Sequence, residues 1–415
     1  MQVARAGSQG QDSANMPAAC WVVAAAIGAA LHIGKLPPAL PVLERVLGVT
    51  LLQAGFLLSL VQFAGMFLGL LTGLAVQRVG LKRSMIAGLL VLAGASALGA
   101  LAESATVLLV TRAFEGLGFL WVVLPGPGLL RRFVPRQRIN RMMGIWGTYM
   151  PLGTSLALLF GPWVMLLGTA DSGWRLWWDI LSAVALAFSL ALLLRLPSDR
   201  LSGDAPAASA GASASKGLLR RTLASGPVWL LALTFGMYSG QWLAVVGFLP
   251  SIYAKAGVAA TTAAWLTALA AGMNMVGNVA AGRLLERGTG AVTLLVTGFV
   301  VMGSGAVLAF GTELGPWWKY AAVLAFSAVG GLIPATLFSL AIRLAPGSST
   351  VATTVGWMQQ WSSAGQFLVP PFMAWVAIHA GGWQWTGWVS AAFCVLGLFL
   401  AVRIRRELSR HQPDL

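Results

Sequence analysis

The sequence predicts an all-α polytopic membrane protein with twelve transmembrane helices arranged as two six-helix repeats. Of its 415 residues 58% are hydrophobic and 9% charged, with a mean hydropathy of +0.80; a soluble domain carries about a quarter charged residues. A shift of 209 residues also lays the chain on itself without a gap: Leu40-Pro41 on Leu249-Pro250, Gly48-Val49 on Gly257-Val258, and Gly73 and Arg78 on Gly282 and Arg287. Pro125 then falls on Pro334, Gly147 on Gly356, Pro162 on Pro371, and Gly173-Trp174 on Gly382-Trp383. Many of these residues set backbone geometry, so one offset over so long a stretch implies a duplicated structural unit.

Apolar runs of about 20 residues, enough to cross a hydrocarbon core, place the first six helices at roughly 17–40, 52–76, 84–103, 106–130, 140–168 and 175–196. The second six follow at roughly 227–250, 263–283, 289–311, 317–342, 350–379 and 385–405. Residues 197–226, rich in Ala and Ser, read as a flexible cytoplasmic linker with no core-forming capacity. The expected domains are an N-terminal bundle, 1–196, and a C-terminal bundle, 227–415, ending in a short basic tail.

Orientation follows from the loops. Arg131, Arg132, Arg136, Arg138 and Arg141, Lys82 and Arg83, and Arg403, Arg405, Arg406 and Arg410 share one side, while Lys35, Arg45, Arg175, Lys255 and Lys319 fall on the other. Basic loops stay in the cytoplasm, so both termini are expected there, in a bacterial-type inner membrane. Trp174, Trp177, Trp178, Trp317, Trp318, Trp383, Trp385 and Trp388 fall at outer helix ends, where amphipathic rings favour the interface. The net charge of +15 is then a topology signal and implies no nucleic-acid partner. Cys20 and Cys394 lie within predicted helices and imply no disulfide framework. The chain carries no Gly-Lys phosphate loop, no metal-spaced His/Cys cluster and no nucleophile–base pairing, which argues against an enzyme, a metal or a cofactor.

A parallel repeat in so apolar a chain is the plan of a secondary transporter with a site between its halves. Motifs sharpen this. The loop after helix two reads Gly73-Leu-Ala-Val-Gln77-Arg78-Val-Gly80-Leu-Lys82-Arg83, and its repeat partner Gly282-Arg-Leu-Leu-Glu286-Arg287-Gly288. Helix four contains Arg112-Ala-Phe-Glu115-Gly116-Leu-Gly118. Both resemble signature motifs of the major facilitator superfamily over the whole chain. The resemblance implies two bundles rocking about a central site, with Gly73, Gln77, Arg78, Gly80, Gly282, Glu286 and Arg287 latching one conformation. Glycine there would let helices approach closely. Gln77 departs from the usual aspartate, which leaves the first latch without a carboxylate.

Lys35-Leu-Pro37-Pro38, Met143-Gly-Ile-Trp146 and Gly173-Trp174 resemble the cyanate/nitroimidazole permease branch. That branch carries Asn-x-Arg-Pro in helix one; here the positions are Gly28 to Leu31, with Ala30 in place of the arginine. Helix five, Gly147-Thr-Tyr149-Met-Pro151-Leu-Gly153, only partly matches the Gly-Pro motif of drug/proton antiporters.

Ionisable groups inside a membrane mark a functional cavity by default. Arg112 and Glu115, three apart, share a helix face, which makes Glu115 the candidate for proton coupling and Arg112 for substrate charge. On the helices expected to line the path, His32, Lys35, Gln62, Tyr149, Tyr238, Gln241, Asn274 and Gln360 are candidate substrate contacts. Each has a plainer reading: His32 as a packing histidine, Lys35 snorkelling to the outer interface, Asn274 bonding across helices. His32 and Gln241 match across the repeat and are expected to face one axis. An excess of positive groups selects anions. The expectation is a monomeric carrier of a small anionic or weak-acid solute, coupled to protons. The alternatives are a proton-driven multidrug exporter of lipophilic compounds and a transport-inactive sensor on the same fold.

Overall fold

Apolar helices joined by short polar turns leave few ways to satisfy the backbone inside a bilayer, and in a computed structural model every regular element is helical among the described residues. Those residues are 15–69, 79–135, 138, 142, 145–198, 212–347 and 350–411. Gly73, Gln77 and Arg78 of the first signature loop, with Met143 and Gly144, lie outside them.

The first span is α1 (Met16–Gly34) followed by α2 (Leu36–Leu47). Next come α3 (Leu51–Ser59), which continues helically to residue 69 through a 3-10 turn (Leu60–Gln62), and α4 (Leu81–Ala100). The fourth span is α5 (Ala105–Val123) with α6 (Gly126–Phe133); α7 (Tyr149–Met165) and α8 (Gly173–Arg195) complete the half. After α9 (Ala212–Leu223), the second half comprises α10 (Gly226–Lys255), α11 (Ala260–Glu286), α12 (Ala291–Phe310), α13 (Pro316–Gly330) with α14 (Leu332–Leu344), α15 (Val351–His379) and α16 (Gln384–His411). Nine spans among the described residues are long and apolar enough to cross a membrane. The remaining three are α7, α11 and α15; Asn274, Asn278 and Arg283 dilute α11, and Gln359, Gln360 and Gln366 dilute α15.

The repeat is visible in the backbone. Gly48 and Gly257, with φ of +61° and +76°, follow the first and seventh spans in the left-handed conformation that glycine adopts without steric cost. The fourth and tenth spans are both interrupted near these matching prolines, at Pro125 and, three residues before Pro334, at Gly331.

The first span breaks the symmetry. Its partner α10 runs without interruption, whereas the ladder lapses at Lys35, because Pro37 and Pro38 have no N–H to give the Ile33 and Gly34 carbonyls. Those prolines fit the first turn of α2, where the N–H would be unused. The first helix therefore reaches Leu47 instead of ending near residue 40.

Two other expectations change. The stretch read as linker carries α9, whose Leu218, Leu219 and Leu223 give a short helix something to pack. Trp174, Trp177 and Trp178 are not interfacial: they are 1%, 4% and 0% exposed and pack inside the N-terminal half, while Trp317, Trp318, Trp385 and Trp388 do face outward.

The halves meet where α11 packs on α7, α15 on α3, and α2 on α10. Ser155 Oγ donates to the Ala268 carbonyl across this seam (2.7 Å). At Gly55, α3 lies against the Pro370–Pro371 backbone with no room for a Cβ. Within the first half, Gly116 brings α5 onto the Val61 carbonyl and Gly34 brings α1 onto Thr154. Gly282, expected to serve the same purpose, does not: an added Cβ there meets nothing within 4 Å.

Candidate functional site

The site begins with Glu115. Its Oε1 accepts from Lys35 Nζ and its Oε2 from Arg112 Nη1, each at 2.5 Å, and all three side chains are at most 1% exposed. The Lys35 ammonium also donates to Ser96 Oγ (2.9 Å) and lies 4.5 Å from the Trp178 ring centroid. Ser96 Oγ passes the chain on to the Trp178 carbonyl (2.8 Å). Four spans thus converge on one carboxylate. Lys35 is buried instead of snorkelling outward, because the helix break carries it inward from α1 and a carboxylate, a hydroxyl and an aromatic face receive it.

Arg112 is committed to the protein itself. Nη1 also donates to the His32 carbonyl (2.6 Å), Nε to the Leu57 carbonyl (3.1 Å), and Nη2 reaches toward the Ile33 carbonyl at 3.5 Å. Ile33 O is the acceptor that Pro37 cannot satisfy. The guanidinium therefore braces the break in the first span while holding Glu115. A fixed fork of donors suits such a task better than a point charge.

With two cations and one carboxylate the cluster is net positive, and burying an unbalanced charge is costly without compensation. His32 lies beside it, fully buried, within the fields of Lys35, Glu115 and Arg112 and next to the Leu181 backbone of α8. Among the described residues the second half has no such cluster. At the repeat offset, Lys35, Arg112, Glu115, Ser96 and Trp178 correspond to Ala244, Ala321, Leu324, Gly305 and Gly387.

Other candidates separate into groups. Gln62 and Gln360 lie at the seam: Gln62 Oε1 accepts from Ser363 Oγ (3.3 Å), and Gln360 Nε2 donates to the Met66 carbonyl (2.9 Å). Among the described residues each leaves one buried amide atom unpartnered, Nε2 of Gln62 and Oε1 of Gln360. Tyr149 stacks in an aromatic group, with its ring centroid 5.0 Å from Trp146 and 6.4 Å from Phe119. Tyr238 Oη accepts from Asn274 Nδ2 (2.8 Å), which also donates to the Ser327 carbonyl (3.0 Å). Gln241 is elsewhere: it donates to Met237 O and accepts from Cys394 on α16, inside the second half. His32 likewise turns to the last span of its own half, beside Leu181 of α8. Glu286 and Arg287, at the end of α11, are exposed, and neither makes an ion pair among the described residues.

Ser96, Trp178 and the three carbonyls under Arg112 escaped the sequence reading. The proline pair after Lys35 was the one available signal, since it announces carbonyls in need of a donor.

The family model of the Major Facilitator Superfamily matches residues 21–358 and again 237–414. The chain belongs to this superfamily. Its second match covers the second half, in keeping with the repeat. A member of this superfamily with this fold is a multi-pass membrane transport protein. It is 24% identical over 372 residues to the cyanate transport protein CynX of Escherichia coli K12, covering 88% of this chain and 90% of that one. It is 27% identical over 220 residues to the 2-nitroimidazole transporter of the same organism, 53% of each chain. Among solved structures it resembles a bacterial homologue of the human lysosomal transporter Spinster, in an inward-facing and occupied conformation. The TM-score is 0.79 at 16% identity, over 96% of this chain and 98% of the other.

Proposed function

We propose that the protein is a secondary active transporter of a small anionic or weak-acid solute, coupled to protons and working by alternating access. The observation that carries this reading is the buried, net-positive Lys35–Arg112–Glu115 cluster in one half only. A positive potential in low-dielectric surroundings selects anions. Cyanate, the cargo named for one relative, is such an anion.

In this mechanism residues 1–196 and 227–415 are the rocking bundles and 197–226 joins them. Both termini lie in the cytoplasm, the membrane is the bacterial inner membrane, and the monomer is the working unit; the distribution of Lys and Arg supports the orientation. Gln62 and Gln360, whose amide atoms at the seam are unpartnered among the described residues, and Tyr149 and Tyr238 are the proposed solute contacts. Lys35 and Arg112 supply the potential, and Arg112 also holds the first span in shape. Glu115 takes the proton: once neutral it loosens its hold on Lys35, which then faces the solute's charge. The signature loops, including Gly80, Glu286 and Arg287, latch one state.

Thermal unfolding of the purified protein in detergent, against small carboxylates, inorganic anions and lipophilic cations, tests this. A ligand at a hundred times its Kd stabilises the native state by about 2.7 kcal/mol. Stabilisation by a small anion, lost in Lys35→Met, is expected. Stabilisation by lipophilic cations alone would replace this reading with the multidrug exporter.

A further inference from the structure

Beyond the transport path, a second basic site lies where the seventh span begins and the twelfth ends. A cavity of about 320 Å3 is lined by Gly226 and Leu230 of α10 and by Phe399, Arg403, Arg406 and Arg410 of α16. The arginines are spaced three and four apart, so they share one helix face. Glu407 also lines the cavity and pairs with Arg410 Nη1 at 2.8 Å, which leaves the site two positive charges in excess. The first turn of α10, at Gly226, contributes the positive end of a 30-residue helix whose N-cap, Ser225, makes no side-chain capping bond. Arg220 and Arg221, in the last turn of α9, add to the positive field just before Ser225.

The wall of this cavity is what separates a lipid from a dissolved anion. The Arg403 guanidinium lies 5.0 Å from the Phe399 ring centroid, and Phe399 is 54% exposed on the outside of α16. Below it, Leu396 and Val395 are also exposed, at 53% and 64%. An apolar track that ends under arginines is shaped for acyl chains with a phosphate at their head. Soluble phosphate would use the arginines and leave the track empty.

We infer that this cavity binds the headgroup of an anionic glycerophospholipid, with its phosphate between the α16 arginines and the start of α10 and its chains along Phe399, Leu396 and Val395. Basic pockets between spans on the cytoplasmic side are suited to such headgroups. Because the site joins α10 to α16, a bound lipid would tie the entry of the second half to its exit.

The test is native mass spectrometry of the delipidated full chain, titrated with phosphatidylglycerol, phosphatidylcholine or inorganic phosphate. Preferential binding of phosphatidylglycerol is expected. At about 1 kcal/mol per basic residue near the surface, affinity should fall roughly fivefold in Arg406→Gln and on the order of 100-fold in the Arg403→Gln/Arg406→Gln/Arg410→Gln triple. A control triple, Arg131→Gln/Arg138→Gln/Arg195→Gln, should keep wild-type affinity. Three results would overturn the site: equal losses in both triples, which means diffuse charge attraction; equal binding of phosphatidylcholine; or inorganic phosphate displacing the lipid at matched concentration. If the triple does not fold, Arg406→Gln alone decides, and unchanged affinity there refutes the assignment.

Discussion

Replacing Arg112 by alanine and Lys35 by methionine removes one positive charge each from the same cluster, but the two losses are physically unlike. Lys35→Met leaves the Arg112–Glu115 pair, which is neutral, and Ser96 keeps its bond to the Trp178 carbonyl. The cost is the two hydrogen bonds that the ammonium donates, to Glu115 and to Ser96, and its contact with the Trp178 ring, held to about 1.5–3 kcal/mol because an unbalanced buried charge disappears with them. Arg112→Ala also leaves a neutral pair, Lys35–Glu115, yet it strips donors from the His32, Ile33 and Leu57 carbonyls. Ile33 O has no helical donor to fall back on, since Pro37 occupies that place. An unsatisfied buried carbonyl costs about 1–3 kcal/mol, and the vacated guanidinium volume adds a cavity term. The expected loss in Arg112→Ala is therefore about 3–5 kcal/mol, some 2 kcal/mol beyond Lys35→Met. Denaturation midpoints of both variants in one detergent measure the difference. If the two unfold together, Arg112 acts through charge alone and the bracing role is wrong. If Lys35→Met unfolds first, the cluster is held chiefly by the lysine.

Gly116→Ala should cost about 1–3 kcal/mol, because its Cβ meets the Val61 carbonyl, a backbone atom that cannot swing aside. Gly282→Ala, where a Cβ meets nothing within 4 Å, should stay within about 0.5 kcal/mol of wild type in the same melt. Ser155→Ala removes the 2.7 Å bond to Ala268 across the seam and should shift the equilibrium between carrier conformations by about 0.5–1.5 kcal/mol. Cysteine-accessibility labelling of the seam would report that as a change in rate of about 2- to 10-fold, and unchanged labelling would show that the bond persists in both states.

Much of this protein was legible in its residues. Hydrophobic runs of bilayer length name the spans whatever their packing, since lipid permits few backbone solutions. The 209-residue offset announced the two halves, and Gly48 and Gly257 then adopted matching left-handed caps. Arg112 and Glu115 could be paired by spacing alone. Tertiary structure decided the rest, because it depends on which face of each helix turns inward. It carried Lys35 past the interface to Glu115, drew Ser96 and Trp178 beside it, and turned Gln241 to Cys394 inside the second half. A hydrogen bond to a backbone carbonyl leaves no mark on the identity of the residue that accepts it, so the three acceptors of Arg112 could be found only once the helices were packed.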